Sequence, residues 1–434
     1  MPLARRGDGK GDDHVSGCVV SEAKPGPLAG IKVLDLTTVV LGPLATQILG
    51  DLGAEVIKIE SPEGDIMRYA GPARHRGMGH VFLNLNRNKR SLALDLKRPE
   101  APPIVLALAA QSDVLMHNMR PQAMARLGFA WERLREVNPR LVYCSAQGYG
   151  QNGPRADRPA FDDIIQGGCG LVSLEMATGG EARFVPTLIG DKTVGLTMAY
   201  AVMAALVQRA RTGRGQAVEV PMLETMTAFV MAEHMGGLTF DPPLGPPGYA
   251  RMLAPDRRPH RTADGHICIL PYTDRHWRDF FRLAGRPELA DDPRLADAET
   301  RSHHFAELYA IVADCVRAAP TAYWLERLKA ADIPCGPVNP LAELANDEHL
   351  AAVDFGSLKI PKLELLAFQR KNLRLRENLD DALSIVQHDV LDAQDGIPIV
   401  ALYRINPGTL DQDDELRAQF GTPVGRPSCE WESL

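Results

Sequence analysis

The sequence contains no run of 18 or more apolar residues, the length that a membrane-spanning helix needs, so we expect no membrane span. Its first residues, MPLARRGDGKGDDHVSG, have no apolar core, which argues against a signal peptide. Positive charge is not in surplus either, because the formal net charge at pH 7 is -7. A global attraction to nucleic acid or to anionic membranes is therefore excluded, and we expect neither as a partner.

Cysteine pairs are also missing. The seven cysteines are dispersed, and none forms a C-x-x-C pair or has a histidine at zinc-site spacing. Such an odd, scattered set is typical of reduced thiols in a cytoplasmic protein. His260, His266, His303 and His304 lie in separate segments apart from the adjacent pair. We interpret them as surface residues and predict no metal site.

What is present is an ordinary globular composition, with 434 residues of which 45% are hydrophobic and 24% charged. This length predicts two or three domains. Residues 1–27 are rich in Gly, Asp and Lys and lack periodicity, so we expect a flexible extension.

Short apolar segments then alternate with helical patterns, which predicts a parallel, doubly wound α/β sheet. The strand-like segments are 31–36, 54–60, 90–96, 113–118 and 141–146. A long helix is expected from Asp191 to the T-G-R-G-Q segment at 212–216. We assign residues 28–225 to a large domain and 226–355 to an irregular linker followed by a smaller α/β domain.

The first turn after a strand reads L-T-T-V-V-L-G-P (36–43), which is not the G-x-G-x-x-G pattern of dinucleotide binding. Arg87, Lys89, Arg90 and Arg120 lie near predicted strand ends, where basic side chains suit a phosphate-bearing ligand. Solvated surface charge is the alternative for each of them. The loop Q-G-Y-G-Q-N-G-P (147–154) also follows a strand, and its glycines permit close approach of a ligand.

Two neighbouring acids precede an apolar segment in F-D-D-I-I-Q-G-G-C-G-L. Read locally, Asp162 and Asp163 are typical helix caps. A carboxylate can also attack an activated acyl group such as a thioester. The backbone amides of Gly167 and Gly168 are candidates, by position, for stabilising the resulting oxyanion.

Nine motifs in one order resemble those of the family III CoA-transferases, the family that includes formyl-CoA transferase and carnitine CoA-transferase. They are L-A-G-I-K-V-L-D-L, V-L-G-P, L-G-A-E-V-I-K-I-E, N-K-R-S-L-A-L-D-L-K, N-M-R-P, G-Y-G-Q-N-G-P, P-A-F-D, T-G-R-G-Q and I-P-C-G-P-V-N. The resemblance covers about residues 28–355. It implies a Rossmann-like large domain, a smaller domain and two chains interlocked as a homodimer.

The resemblance further implies transfer of CoA from an acyl-CoA to a carboxylic acid, with CoA as a substrate and no tightly bound cofactor. Asp162, which follows the aromatic residue of P-A-F-D, would be the nucleophile, and Asp163 a capping neighbour. The implied CoA contacts are Val40, Leu41, Leu94, Lys97, Asn118, Met119, Arg120, Arg126, Gln147, Gly148 and Tyr149.

The chain departs from formyl-CoA transferase at three places. Val40 replaces a glutamine, Gln147 replaces a lysine, and Gly236 with Gly237 is all that corresponds to a run of four glycines. These differences argue against formate or oxalate as substrates. Residues 356–434 match no segment of the family, which indicates an atypical C-terminal segment or a disrupted reading frame.

Two alternatives stay open. One is a 2-methylacyl-CoA racemase, which needs a second acid or base, usually histidine. It is disfavoured because no histidine occurs between His117 and His234. The other is an inactive CoA-binding relative, which the atypical C-terminal segment motivates.

Overall fold

A computed structural model describes residues 26–353 and a strand at 402–404. The predicted extension (1–27) lies outside the described residues except for its last two. Of the atypical C-terminal segment (356–434), only the strand at 402–404 is described.

Strands and helices alternate in the order that the sequence predicts. The strands are β1 (Lys32–Leu36), β2 (Glu55–Glu60), β3 (Lys89–Ala93), β4 (Val114–His117), β5 (Val142–Ser145), β6 (Gln216–Glu219), β7 (His260–Arg261), β8 (His266–Ile269), β9 (Cys335–Pro337) and β10 (Leu402–Arg404). The helices are α1 (Leu41–Asp51), α2 (His80–Leu85), α3 (Ala101–Ala110), α4 (Pro121–Arg126), α5 (Trp131–Val137), α6 (Asp162–Gly168), α7 (Leu171–Ala177), α8 (Ile189–Thr212), α9 (Met222–His234), α10 (Ala250–Leu253), α11 (Asp274–Leu283), α12 (Ala298–His303), α13 (Phe305–Val316), α14 (Thr321–Ala330) and α15 (Glu348–Ala352).

The large sheet has the strand order β10-β3-β2-β1-β4-β5-β6. Strands β1 to β6 are parallel, and β10 pairs antiparallel with β3 at one edge. The prediction of a Rossmann-like parallel sheet is confirmed, since the order 3-2-1-4-5-6 belongs to the doubly wound folds. In these folds the order reverses between β1 and β4, and ligands bind in the crevice outside the carboxyl ends of those strands.

Apolar side chains cover both faces of this sheet. On one face, α1, α8 and α9 contribute residues such as Leu49, Met198 and Met226 to a buried cluster. On the other, α3, α4 and α5 contribute to a second cluster that includes Met124 and Leu134. Burial on both faces explains why the parallel strands are almost continuously apolar.

Helix α8 is long and apolar enough, by length and composition, to cross a membrane. In this fold it is a core helix, because Val194, Met198 and Val202 pack into the first cluster. Its last turn is fixed by Arg209, whose guanidinium lies 2.9 Å from the Asp113 carboxylate at the start of β4.

A separate cluster forms around the small antiparallel sheet β7-β8-β9. It contains Trp277, Phe280 and Trp324, with the Phe280 and Trp324 rings stacked at 6.1 Å. His260 on β7 is buried, so the interpretation of this histidine as a surface residue is wrong. Strand pairing explains this burial, because His260 lies opposite Ile267, and Ile267 is fully buried.

Buried ion pairs lie beneath the β1 turn. Lys89 Nζ is 3.2 Å from Asp35 Oδ2, and Lys58 Nζ is 3.1 Å from Asp65 Oδ2, with all four side chains fully buried. Burial alone would raise the pKa of Asp35, but Lys89 and Lys58 outweigh it and lower that pKa. The buried pairs thus replace water as the partners of these charges.

The cations of the basic run near β3 pair with acidic side chains. Lys89 is bonded to Asp35, Arg87 pairs with Asp51 at 2.6 Å, and Arg90 lies 3.4 Å from Glu55. Lys89 is therefore unavailable to a phosphate, whereas phosphate binding by Arg87 and Arg90, whose ion pairs are partly exposed, stays a prediction.

Replacement of Lys89 by methionine is expected to lower the free energy of unfolding by about 3–5 kcal/mol, because it leaves Asp35 buried with its main partner removed. Arg87→Met, two residues away, is the matched control, and its half-exposed pair is worth about 0–1 kcal/mol. Urea unfolding followed by circular dichroism measures both. Equal losses in the two variants would contradict this account of the buried pair.

Candidate active site

At the switch point, a reciprocal contact joins the two loops that border the crevice. Asn118, directly after β4, accepts the Thr38 N–H at 3.0 Å and donates to the Thr38 carbonyl at 2.8 Å. A side-chain amide can do both because it carries a donor and an acceptor. The loops after β1 and β4 are thereby held side by side.

The first turn has an unusual backbone. Val39 has a φ of 73°, a left-handed conformation that is rare for a β-branched residue. Its N–H donates to Asp65 Oδ2 at 3.2 Å, the same oxygen that pairs with Lys58.

Gly42 is required in this first turn because a Cβ at this position would lie 2.2 Å from Thr37 Cβ. The turn places Val40 and Leu41 at the crevice, but both side chains are buried.

A cavity of about 640 Å³ opens beside this crevice. Four of the predicted CoA contacts line it, namely Asn118, Met119, Arg120 and Arg126, together with Gln122, Ala123 and Asp157. Arg120 and Arg126 are exposed, and neither forms an ion pair with any residue in the described part of the chain. Two cations without acidic partners give this cavity the charge that a phosphate group requires.

His117, the last residue of β4, supports the turn that carries these contacts. Its Nδ1 lies 3.1 Å from the Met119 carbonyl, so Nδ1 carries the proton. Burial lowers the pKa of His117 to about 4, which keeps the ring neutral at physiological pH. The residue is therefore a structural donor in this arrangement.

The loop after β5 connects the cavity with Asp162. Gln147 donates to the Met119 carbonyl at 3.4 Å, and a Cβ on Gly148 would lie 2.4 Å from the Ala160 side chain. Farther along, Asp157 accepts from Gln122 at 2.5 Å. Tyr149, predicted to reach into the crevice, instead packs in the first core cluster. The loop thus touches the cavity twice and ends at Phe161, directly before Asp162.

Leu94 and Lys97 follow β3 and do not line the cavity. Leu94 is anchored through its N–H to the Glu60 carbonyl at 2.8 Å, and it packs at the edge of the second core cluster. The Lys97 side chain is exposed.

Asp162 is the first residue of α6 and is only 4% exposed. Its Oδ1 accepts the backbone N–H of Asp191 at 2.8 Å, and its Oδ2 accepts Nε2 of Gln166 at 2.7 Å. The helix cap is Phe161, and no side chain caps α6. Capping by Asp162 or Asp163 is therefore wrong: Asp162 satisfies an amide in the first turn of a different helix, α8.

Gln166 is fixed at both ends. Its Oε1 accepts the Val185 N–H at 2.8 Å, while its Nε2 holds Asp162. On the opposite side of the carboxylate, a Cβ added to Gly190 would lie 3.0 Å from Asp162 Oδ1. One oxygen thus faces the main chain of α8, and the other faces a side-chain amide.

The amides of Gly167 and Gly168 are poor oxyanion donors. Both lie in the last turn of α6, where backbone N–H groups bond to carbonyls one turn earlier. The amide that does point at the carboxylate belongs to Asp191, in the first turn of α8, where N–H groups have no partner within the helix.

The carboxyl group of Asp191 is a second acid beside Asp162. Burial, together with the negative charges of Asp162 and Asp163, raises the pKa of Asp191 to about 7. Near neutral pH this group is therefore partly protonated.

Sequence reasoning missed Gln166, Asp191, Gln122 and Asp157. Gln166 was within reach, because it lies four residues after Asp162 on the same helix and so on the same face. Asp191 carries no such signal, since only the packing of α8 against α6 brings it to the carboxylate.

Comparison with known proteins gives a family match, similar curated proteins and a similar solved structure. The sequence profile described as CoA-transferase family III matches residues 28–361. A formyl-CoA:oxalate CoA-transferase of Streptomyces avermitilis is 35% identical over 351 residues, which cover 75% of this chain and 83% of that protein. A succinyl-CoA:glutarate CoA-transferase of Mus musculus is 33% identical over 322 residues, and the match covers 74% of this chain and 74% of that protein. The crystal structure of Rv3272 from M. tuberculosis has a TM-score of 0.67 and 32% identity, covering 76% of this chain and 89% of that one.

The raised pKa of Asp191 predicts a pH-dependent effect of Asp191→Asn. An acid whose pKa rises on folding loses stability as pH increases from its ordinary value of 3.8 to about 7. Asparagine mimics the protonated form, so the variant should match the parent near pH 4 and exceed it above pH 7. Because the side chain is only partly buried, the gain is on the order of 2 kcal/mol.

Urea unfolding at a series of pH values measures this difference, with the exposed Asp314→Asn as the control. The control is expected to give no such trend. A variant advantage that is constant across the pH range would contradict the shifted pKa.

Proposed function

The chain belongs to CoA-transferase family III, and from this premise we propose that it transfers CoA from an acyl-CoA thioester to a carboxylic acid through Asp162. The observation that carries the proposal is the arrangement of Asp162. A buried carboxylate with one donor on each oxygen lies at the end of a loop that starts at a cationic cavity.

The cavity supports CoA as the ligand. Arg120 and Arg126 supply positive charge for its phosphates, and the loop from Gln147 leads from this cavity toward Asp162. CoA enters as part of the substrate and leaves on the product, so we propose no tightly bound cofactor. The free thiols of the described cysteines support a cytoplasmic location.

The reaction follows from the chemistry of a carboxylate and a thioester. An oxygen of Asp162 bonds to the acyl carbon, the C–S bond breaks, and CoA leaves as the thiolate. The thiolate then attacks the Asp162 carbonyl of this anhydride, which releases the donor acid and forms aspartyl-CoA. The acceptor carboxylate displaces CoA to form a second anhydride. Attack of the thiolate on the acceptor's carbonyl gives the new acyl-CoA and restores Asp162.

A racemase would need a second acid or base at the α-carbon. His117 is neutral, buried and bonded to the Met119 carbonyl, which fits it poorly for that task. Exchange of the α-proton with solvent deuterium would favour the racemase. Binding of CoA without transfer to any acid in a broad panel would favour an inactive relative.

We also propose that the chain forms a homodimer through a face that includes α8. Leu196, Tyr200 and Val207 are each more than half exposed, and their spacing places them on one side of α8. Phe161 and Ile164, which flank Asp162, are exposed as well. Several exposed apolar side chains near a catalytic group are typical of an interface, and a second copy of this chain is the occupant that we propose.

The core clusters support a division of the chain close to the predicted one. The first cluster extends to Val230 on α9, and the second begins at Ala254. We therefore place the boundary after α9 rather than at 225/226.

Substitution of Asp162 by alanine is expected to reduce CoA transfer by at least about a thousandfold, because no other carboxylate occupies its position. CoA binding should be retained, since Asp162 does not line the cavity. Asp163→Ala, an exposed neighbour, is the control and should remain active. Product mass after incubation with succinyl-CoA and an acid library measures transfer. Near-normal turnover of Asp162→Ala would refute the assignment.

Charged substitutions on α8 test the interface. The double variant Leu196→Glu, Tyr200→Glu is expected to shift the protein from dimer to monomer, because each change buries an unpaired charge at the contact. Leu341→Glu, a highly exposed position elsewhere, is the control. Sedimentation velocity measures the change. A dimer that persists in the double variant, or a monomeric parent, would rule out this face.

A further inference from the structure

Gln166 has a buried side-chain amide whose Nε2 donates to the Asp162 carboxylate. It is 1% exposed and lies one helical turn after Asp162. Its short bond to Asp162 Oδ2, at 2.7 Å, contrasts with two long contacts to the Val185 and Thr187 carbonyls, each at 3.4 Å. The carboxylate is therefore its principal acceptor.

The amide cannot turn away from Asp162. Flipping it would place Oε1 against the carboxylate and Nε2 against the Val185 N–H, so that acceptor meets acceptor and donor meets donor. The Val185 amide thus fixes which end of Gln166 faces Asp162. A donor of fixed direction gives Oδ2 a fixed position, which is what a nucleophile requires.

The two carboxylate oxygens have different surroundings. Oδ1 faces the main chain of α8, where even a methyl group on Gly190 would be in tight contact. Among the described residues, the hydrogen bond that Oδ2 accepts comes from the side chain of Gln166. Each oxygen has a second lone pair available beyond its hydrogen bond. Oδ1 is the oxygen that lies against the main chain of α8.

We propose that Gln166 is a positioning residue that holds Oδ2 of Asp162 as the attacking oxygen, while the Asp191 N–H keeps Oδ1 as the carbonyl oxygen of the acyl-enzyme. This inference rests on the proposed function. Oδ2 forms the bond to the acyl carbon, and the C–S electron pair leaves with the CoA thiolate. When the thiolate later attacks the Asp162 carbonyl, negative charge develops on Oδ1, at the N-terminal end of α8.

Gln166→Met tests the proposal, because methionine has a similar length and no donor. We expect kcat to fall on the order of 100-fold, as misplacement of a reacting group does, with little change in KM for acyl-CoA. Gln208→Met, at an exposed position near the other end of α8, is the matched control. An unchanged kcat, or a loss that lies entirely in KM, would overturn the proposal.

Gln166→Glu supplies a readout that a purely structural role would not move. Glutamate keeps the oxygen that binds Val185, but it donates to Oδ2 only when protonated. Its transfer rate relative to the parent should therefore recover as pH falls. The carboxyl groups of Asp162, Asp163 and Asp191 face the same site in both proteins, so the ratio to the parent at each pH is the quantity compared.

The glutamate variant decides the question if the methionine variant unfolds, and a ratio that does not vary with pH would overturn the proposal. The parent and Asp162→Ala run in the same assay separate the two hypotheses. If the parent moves no CoA, the proposed function fails. If Asp162 is essential but the Gln166 variants behave as the parent does, only the role of Gln166 fails.

Discussion

The site depends on the hydrogen bond that joins Asp162 Oδ1 to the Asp191 N–H in the first turn of α8. That bond lets one helix position the reactive group of another. α8 is itself held at its far end by Arg209 against Asp113, and along its length by the core. A 24-residue helix spans roughly 36 Å, so it ties the carboxylate to the amino end of the central strand β4. The close approach favours glycine at 190, where a Cβ would lie 3.0 Å from Asp162 Oδ1.

A second constraint acts on the opposite side of the crevice. The left-handed Val39 is stabilised because its amide reaches Asp65, which the buried Lys58 holds in place. Lys58 also donates to the Thr37 carbonyl at 2.6 Å. Charges that could have attracted a ligand are thus used to shape the turn. Arg120 and Arg126, which have no acidic partner among the described residues, lie at the cavity instead.

The sequence predicted the sheet well, because each parallel strand is a short apolar run between turn residues. It also predicted that N-M-R-P would reach the crevice, since residues after β4 lie at the switch point. It could not predict that Lys89 is buried, because a lysine in a basic run looks the same whether it faces solvent or an aspartate on another strand.

The same limit applied to Asp162 and its neighbours. Local reasoning favoured a helix cap, which needs only the sequence on either side. The actual partner, Asp191, is distant in sequence, and the contact exists only once α6 and α8 have packed. Gln166 was also missed, but it could have been found from the sequence, because helical spacing alone places it on the same face as Asp162.

Transfer of a labelled oxygen tests the central claim most directly. In the proposed reaction, the acceptor carboxylate attacks aspartyl-CoA, and the subsequent departure of the acceptor as its CoA ester leaves one acceptor oxygen on Asp162. Incubation with acyl-CoA and an oxygen-18-labelled acceptor acid, followed by mass analysis of proteolytic peptides, should therefore find the label in the Asp162 carboxyl group. CoA transfer that leaves Asp162 unlabelled would contradict the account.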